Sequence, residues 1–258
     1  GWGEATMPPY LKENVDSVEK FIGLFDWSKL DNEQQILNIL TQIRNYPESP
    51  CGQTIIEMCL LDILSQSKNL SLRQYLDLPQ SLPTKFCSYT LSLGDSILEI
   101  EKKLSVAPNF KMYKIKLTGD GDLDKISGLS FLSKNKFMVD ANQAFTDPAK
   151  ALIVIKHLHA LGCVAMEQPL KLDLWDESIW LKDKSPIPLI ADEAFQSELD
   201  LKKVESAFHG VNIKTLKIGG VLPALKMINK LKEKNLLIQI GCMSESSLGC
   251  SYALSLID

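Results

Sequence analysis

The sequence has no long apolar run, no strong excess of either charge and no Met at its start. None of its apolar stretches approaches the ~20 residues of a membrane-spanning helix, so we expect no membrane partner. Its 28 Lys and Arg against 32 Asp and Glu give a net charge of -4, which argues against a protein that binds nucleic-acid phosphates. With 45% hydrophobic and 23% charged residues, the 258-residue chain has enough apolar side chains for a packed core, which excludes intrinsic disorder.

The spacing of cysteine and histidine excludes two common kinds of site. None of the six cysteines belongs to a C-x-x-C pair, and several lie in apolar runs. We therefore expect free, buried thiols in a protein of the reducing cytoplasm. His157 and His159 lie two residues apart on a predicted helix, so they face different directions and make poor joint metal ligands.

The apolar pattern divides the chain into two regions. Residues 1–85 predict loops and three helices, at 15–25, 32–44 and 51–67, because apolar residues recur there with helical spacing. From residue 86 onward, short β-rich runs alternate with helical runs. The seven predicted strands are 86–93, 112–117, 137–140, 164–167, 189–192, 211–214 and 237–240. This alternation predicts a parallel sheet with crossover helices, so we expect a domain boundary near residue 85.

The helix predicted at 147–161 has the clearest boundaries in the second region. Asp147 suits the N-cap, Pro148 suits the first helical position, and Gly162 follows the end. Another helix is predicted at about 222–234. The strand–helix units resemble those of a TIM barrel, which has eight strands, whereas seven are present here. We therefore expect the chain to be part of a longer protein.

Polar residues recur at the carboxyl end of five successive predicted strands, one strand–helix unit apart. The groups are Lys114-Ile115-Lys116, Asp140-Ala141-Asn142, Glu167-Gln168-Pro169, Asp192-Glu193 and Asn212-Ile213-Lys214. In a βα barrel these positions surround one mouth, where active sites lie. Carboxylates that converge there are costly to bury unless they are paired or bind a metal, and oxygen ligands suit a hard divalent cation.

Each of these groups also has an ordinary structural interpretation. A Lys-x-Lys pair is commonly a solvated strand end, an Asp after a strand is often a turn or cap residue, and Asp192-Glu193 suits the start of a helix. In this pattern the acids lie on the middle strands and the lysines on the strands to either side, each one strand–helix unit from the next. Such a pattern is much harder to obtain by chance. Their joint occurrence favours a catalytic site.

The chain resembles the enolase superfamily, in particular its muconate-lactonizing branch, and within that branch the dipeptide epimerases of the L-Ala-D/L-Glu epimerase type. The resemblance extends from Gly3 to Asp258. It is carried by the five groups above, by Gly219-Gly220 and by Cys242-Met243-Ser244-Glu245-Ser246. It implies a modified TIM barrel of the (β/α)7β kind over residues 86–258, with its last strand missing, and an α+β capping domain over 1–85, with its first strands missing.

The resemblance also implies roles for the polar residues. Asp140, Glu167 and Asp192 would bind Mg²⁺, and Lys116 and Lys214 would be an acid/base pair on opposite faces of the substrate. Removal of a proton next to a carboxylate gives an enediolate, whose charge Mg²⁺ stabilises, and lysine bases with Mg²⁺ are known for enolase-type sites. Two lysines allow removal on one face and return on the other, which is an epimerisation.

Further residues would support this site or contact the substrate. Lys114, Asn142 and Glu193 are expected to support it, and Lys114 would help to lower the pKa of Lys116 by electrostatic repulsion. Met243 and Glu245 would border the substrate, although a loop and helix cap explains them equally well. The expected partner is a dipeptide or another small carboxylate, and the resemblance is compatible with a homo-oligomer.

Three alternatives stay open at this point. Another reaction of the same superfamily, such as o-succinylbenzoate synthesis or muconate cycloisomerisation, would use the same residues. A Schiff-base aldolase would use Lys214, although three acids do not suit that chemistry. A non-catalytic barrel that serves as a binding module is the third.

Overall fold

The computed structural model describes residues 1–7, 11–80, 87–92, 96–106, 110–117, 122–128 and 136–257. The chain divides into two compact units, which we describe separately. The first unit contains the described residues of Gly1–Pro83, Ile213–Glu233 and Ile238–Asp258, and the second unit contains those of Thr84–Asn212 and Lys234–Leu237. The domain boundary predicted near residue 85 lies outside the described residues and stays a prediction.

The N-terminal region is helical where it is described, as its apolar spacing predicts. Its helices are α1 (Val15–Ile22), α2 (Glu33–Gln42), α3 (Pro50–Ser67) and α4 (Leu72–Tyr75). Asn14 is the N-cap of α1. Its side chain accepts a hydrogen bond from the Ser17 backbone N–H, and the Ser17 hydroxyl accepts one from the Asn14 backbone N–H. Helix α3 is buried on most of its surface, which explains its nearly continuous apolar sequence.

The predicted alternation of strands and helices is confirmed. The seven strands are β1 (Ser88–Ser92), β2 (Met112–Lys116), β3 (Lys136–Asp140), β4 (Cys163–Glu167), β5 (Leu189–Ala191), β6 (Gly210–Ile213) and β7 (Leu237–Ile240). They form one sheet in sequential order, and each described pairing from β1 to β6 is parallel. This order is typical of a βα barrel.

Helices follow the strands along the chain. They are α5 (Ile97–Val106), α6 (Asp122–Gly128), α7 (Pro148–Ala160), α8 (Trp175–Lys184), α9 (Leu201–Ala207), α10 (Thr215–Ile218), α11 (Val221–Glu233) and α12 (Ser247–Leu254). Within the described part of the chain, no helix combines the length and apolar character needed to cross a membrane.

Each of the strands β2 to β5 of the second unit contributes buried residues to the core. Ile115, Val139, Met166 and Ala191, on four different strands, have no exposed surface. Burial of this kind matches parallel strands that are covered by helices. Polar groups therefore become accessible mainly at the strand ends, which is where the predicted site residues lie.

The predicted capping of α7 is also confirmed. The Asp147 carboxylate accepts hydrogen bonds from the backbone of Ala149 (2.8 Å) and Lys150 (3.4 Å), and Pro148 is the first helical residue. Gly162 has φ +96°, a left-handed conformation that glycine adopts at little cost. The helix therefore begins and ends where its sequence indicates.

We expect Asp147→Ala to lower the free energy of unfolding by about 1 kcal/mol, because it leaves the first backbone N–H groups of α7 without a cap. Urea denaturation measures this loss. Asp183→Ala is the control, since the Asp183 side chain is 77% exposed and makes one 3.5 Å contact with Lys184. Equal losses in the two variants would contradict the capping role.

Candidate active site

Three acidic residues stand at the carboxyl ends of adjacent strands in the second unit. Asp140 ends β3, Glu167 ends β4 and Asp192 directly follows β5. The register pairs Lys116 with Asp140 and Asp140 with Glu167, so these residues form a row across three strands. Asp140, Glu167 and Asp192, which we call the acidic row, are 2%, 0% and 3% exposed. Their charges therefore require partners close by.

Lys114 supplies one such partner. Its Nζ donates to Glu167 Oε2 at 2.7 Å and lies 3.2 Å from Asp140 Oδ2. Burial by itself lowers the pKa of Lys114, but Glu167, Asp140 and Asp192 together raise it above its ordinary value. Lys114, whose side chain is 12% exposed, therefore acts as an ammonium counter-ion for the acidic row.

Glu167 is the most constrained of the three acids. Its Oε1 accepts a hydrogen bond from Asn212 Nδ2 at 2.7 Å. Burial, and then the negative charges of Asp140 and Asp192, raise the pKa of Glu167 to about 7, against the opposing effect of Lys114. Burial is the largest cause of this rise, because it disfavours the charged form of the acid.

Lys116 differs from Lys114 in exposure. Its side chain is 48% exposed, and its Nζ lies 3.9 Å from Asp140 Oδ2. Lys114 and Lys116 are two residues apart on β2, so both side chains extend from the same face of the strand. Lys116 is therefore held near the acidic row and is still accessible to a small molecule.

Asn142 and Glu193 form a second polar pair beside the acids. Asn142 Nδ2 donates to Glu193 Oε1 at 3.2 Å, and the Asn142 backbone N–H donates to Asp140 Oδ1 at 3.1 Å. Burial, and then the charge of Asp192, raise the pKa of Glu193. Glu193 Oε2 is buried and has no hydrogen-bond partner among the described residues. One carboxylate oxygen thus faces the site with unused capacity to accept.

Gln168 has a positioning role that the sequence analysis did not assign. Its side chain is 1% exposed, and its Oε1 accepts hydrogen bonds from the backbone of Asp192 (3.1 Å) and Ala194 (3.0 Å). Its Nε2 donates to the Leu170 carbonyl at 3.1 Å. Gln168 therefore fixes the backbone that carries Asp192. The only signal in the sequence was its place in the Glu-Gln-Pro group.

Lys214 belongs to the first unit. It follows β6 directly, precedes the short helix α10 and is 7% exposed. Asn212, two residues earlier on the same chain, belongs to the second unit. Lys217 lies on α10 and is 4% exposed. The structure thus brings Lys114, Lys116 and the acids together within one unit, and the predicted pairing of Lys116 with Lys214 stays a prediction.

Met243 and Glu245 have structural contacts of their own. Met243 packs against the apolar cluster of Val18, Cys51 and Leu216. Glu245 Oε2 accepts a hydrogen bond from the Met243 backbone at 2.5 Å. These contacts fit the loop-and-cap interpretation, whereas contact with a substrate stays a prediction.

Glu4 holds the N-terminal segment against the start of α12. Its carboxylate accepts hydrogen bonds from the Ser246 backbone (2.5 Å), the Ser246 hydroxyl (2.6 Å) and the Gly249 backbone (3.0 Å). Burial alone would raise the pKa of Glu4, but these bonds lower it below its usual value. No local pattern predicts this long-range cap, because its partners lie more than 240 positions away.

The residues of the acidic row fit a hard divalent cation by their chemistry. All the candidate ligands are carboxylates and they are buried, and Glu193 Oε2 beside them has no hydrogen-bond partner among the described residues. Within the described part of the chain, no three Asp, Glu, His or Cys side chains are already grouped as metal ligands. The ammonium of Lys114 lies against two of the carboxylates instead.

Residues 99–257 match the family described as Enolase C-terminal domain-like. An L-Ala-D/L-Glu epimerase from Bacteroides thetaiotaomicron is 30% identical over 98% of this chain and 66% of its own length. An L-Ala-D/L-amino acid epimerase from Maribacter sp. is 31% identical over 100% of this chain and 75% of its own length. The chain thus spans about two thirds to three quarters of these relatives.

A crystal structure of a dipeptide epimerase from Enterococcus faecalis V583 has the same fold. It superposes with a TM-score of 0.85 at 24% identity and covers 98% of this chain and 76% of its own. The predicted resemblance and the predicted α/β barrel fold are therefore confirmed. The predicted enzyme class, an isomerase acting on amino acid derivatives, is the class of these relatives.

We expect Lys114→Met to lower the free energy of unfolding of the metal-free protein by about 3–5 kcal/mol at pH 8, because it leaves buried carboxylates without their counter-ion. Urea denaturation measures the loss. The cost should be smaller at pH 5, where Glu167, with its pKa of about 7, is protonated.

Lys116→Met is the matched control for this variant. The Lys116 side chain is half exposed, and its contact with Asp140 is 3.9 Å long. Its replacement should therefore cost less than about 1 kcal/mol. Similar losses for the two lysines would contradict a distinct counter-ion role for Lys114.

Proposed function

Because this chain belongs to the enolase C-terminal domain-like family, we propose that it carries the active site of a Mg²⁺-dependent epimerase of dipeptides. The observation that carries the proposal is the row of buried acids at the ends of β3, β4 and β5, with Lys114 and Lys116 beside it. The names of the two relatives that are at least 30% identical support the choice of dipeptides as substrates.

Asp140, Glu167 and Asp192 would hold the Mg²⁺, and their oxygen ligands suit this ion. When bound, Mg²⁺ stabilises the negative charge that develops on the substrate carboxylate as the neighbouring α-proton leaves. Asn142 and Glu193 would support the site through their contacts with each other and with Asp140.

Lys116 and Lys214 would carry the proton. The neutral amine of one lysine takes the α-proton, and the ammonium of the other gives a proton to the opposite face of the same carbon, which inverts it. The partial exposure of Lys116 suits direct contact with a substrate. Gln168 would contribute by holding the backbone of Asp192, and Lys114 by holding Glu167 and Asp140.

We expect Lys116→Ala and Lys214→Ala each to reduce epimerisation of an L-Ala-L-Glu dipeptide by about 10²- to 10⁴-fold, because each removes one of two proton carriers. Proton NMR in D₂O measures both epimerisation and exchange of the α-proton. Each variant should keep the exchange of one stereoisomer and lose that of the other.

Lys150→Ala, on the exposed surface of α7, is the control and should keep full activity. Full epimerisation by either site variant would contradict the two-base mechanism. Trapping of a carbonyl substrate on Lys214 by borohydride, without Mg²⁺, would favour the aldolase instead. Turnover of a cycloisomerase or o-succinylbenzoate synthase substrate, but of no dipeptide, would favour another reaction of the superfamily.

Millimolar Mg²⁺ should raise the midpoint of thermal unfolding at pH 8, because the ion binds the folded acidic row. The shift should be smaller at pH 5.5, since Glu167, with its pKa raised to about 7, then holds a proton that the ion must displace. Differential scanning fluorimetry measures it. Asp192→Asn should abolish the shift and Asp183→Asn should keep it, so an unchanged shift in Asp192→Asn would contradict the assigned ligands.

A further inference from the structure

The segment 215–222, which follows Lys214, is fixed to one side of α3 by contacts with its backbone. The Thr54 hydroxyl donates to the Thr215 carbonyl at 3.0 Å, and Cys51 Sγ lies 3.8 Å from the Leu216 carbonyl. Thr54 and Cys51 are three residues apart, so they share a face of the helix. All these residues belong to the first unit.

Arg44 adds the next contact along the segment. Its Nη1 donates to the Gly219 carbonyl at 2.5 Å and to Gln53 Oε1 at 2.8 Å. Its Nη2 forms an ion pair with Glu57 Oε2. The guanidinium therefore joins α3 to the turn at the end of α10 through three hydrogen bonds of fixed geometry.

Glu57 completes the connection from the other side of the turn. It has no exposed surface, and its Oε1 accepts hydrogen bonds from the Leu222 backbone at 3.1 Å and from the Tyr252 hydroxyl. The Tyr252 oxygen in turn accepts from the Val221 backbone at 3.1 Å. Both backbone N–H groups at the start of α11 are thus satisfied by this buried network.

The two glycines of the segment allow this close approach. Gly219 has φ +85° and Gly220 has φ +123°, which residues with a side chain rarely adopt. A Cβ at Gly220 would lie 2.2 Å from Glu57 Oε1, and a Cβ at Gly219 would lie 2.5 Å from Gln53 Oε1. Because neither residue has a side chain, the Gly219-Gly220 turn leaves room for the Arg44–Glu57 ion pair.

We propose that Arg44 and Glu57 are positioning residues for Lys214, which hold the segment behind it and so control proton transfer on one face of the substrate. This proposal rests on the proposed function for the role of Lys214. A buried ion pair is weak evidence of stabilisation, because desolvation offsets much of its attraction, whereas it specifies geometry well. Lys116 lies in the other unit, so its proton transfer should not depend on this network.

Glu57→Gln tests the proposal, since it keeps the shape of the side chain and removes its charge. The face served by Lys214 is identified as the stereoisomer whose exchange Lys214→Ala abolishes. In Glu57→Gln, kcat for deuterium exchange of that stereoisomer should fall about tenfold or more, with KM within about twofold, because small misplacements of a reacting group are costly. Exchange of the other stereoisomer should stay within about twofold.

A second variant guards against a simple loss of folding. The double variant Arg44→Gln, Glu57→Gln leaves no unpaired buried charge. Its thermal midpoint should therefore lie closer to that of the unmodified protein than the midpoint of Glu57→Gln does. It should still show the one-sided loss of exchange. Equal losses for both stereoisomers in this double variant would overturn the proposal.

Glu13→Gln is the matched control, because Glu13 is another buried carboxylate that contacts α3. The Glu13 carboxylate is buried and accepts hydrogen bonds from the backbone of Cys51 (2.8 Å) and Gly52 (3.2 Å), so it caps the start of α3. Its replacement should destabilise the protein without a preference for one stereoisomer. A one-sided loss as large as that of Glu57→Gln would overturn the proposal.

Hydrogen–deuterium exchange of the backbone separates this proposal from the proposed function. In Glu57→Gln, amides of segment 215–222 should exchange faster, whereas those of β2 and β3 should not change. Faster exchange confined to 215–222 supports the positioning role. If no dipeptide is epimerised, that finding refutes the proposed function alone. Unchanged protection of 215–222 in a variant that still folds would overturn the positioning role, whatever the activity.

Discussion

The concentration of negative charge at the ends of β3, β4 and β5 is the constraint on which the candidate site depends. Parallel register places Asp140 beside Glu167, and burial removes the water that would otherwise screen them. Lys114 offsets part of this charge, yet the pKa of Glu167 still rises to about 7. Gln168, Asn142 and Glu193 form hydrogen bonds around the same acids.

The two lysines assigned to proton transfer are held by different means. Lys116 lies on a strand of the second unit, partly exposed, and its position follows from the register of β2 with β3. Lys214 lies in the first unit, buried, and the segment behind it is fixed by α3 through Arg44 and Glu57. In our proposal, the N-terminal region thus contributes to the placement of a residue that comes more than 150 positions later in the chain.

Most helices and strands were predictable because periodic burial and end signals are local properties. Asp147 and Gly162 mark the limits of α7, and the β-rich runs match strands to within two residues where the structure describes them. The errors lie at the ends of strands, since Asp192 and Lys214 follow their strands rather than end them. Such details depend on packing from distant segments, which local periodicity does not record.

The sequence by itself determined the order of strands and helices and which acids and lysines belong to successive strand ends, because these follow from spacing along the chain. Its motifs also carried the resemblance to the family. Only the tertiary structure decided that Lys114 is the counter-ion of Glu167, that Gln168 holds Asp192, and that Glu57 reaches the turn after Lys214. These contacts join residues that lie 24 to 165 positions apart. Their partners are selected by the close packing of buried polar groups, each of which must find a hydrogen bond.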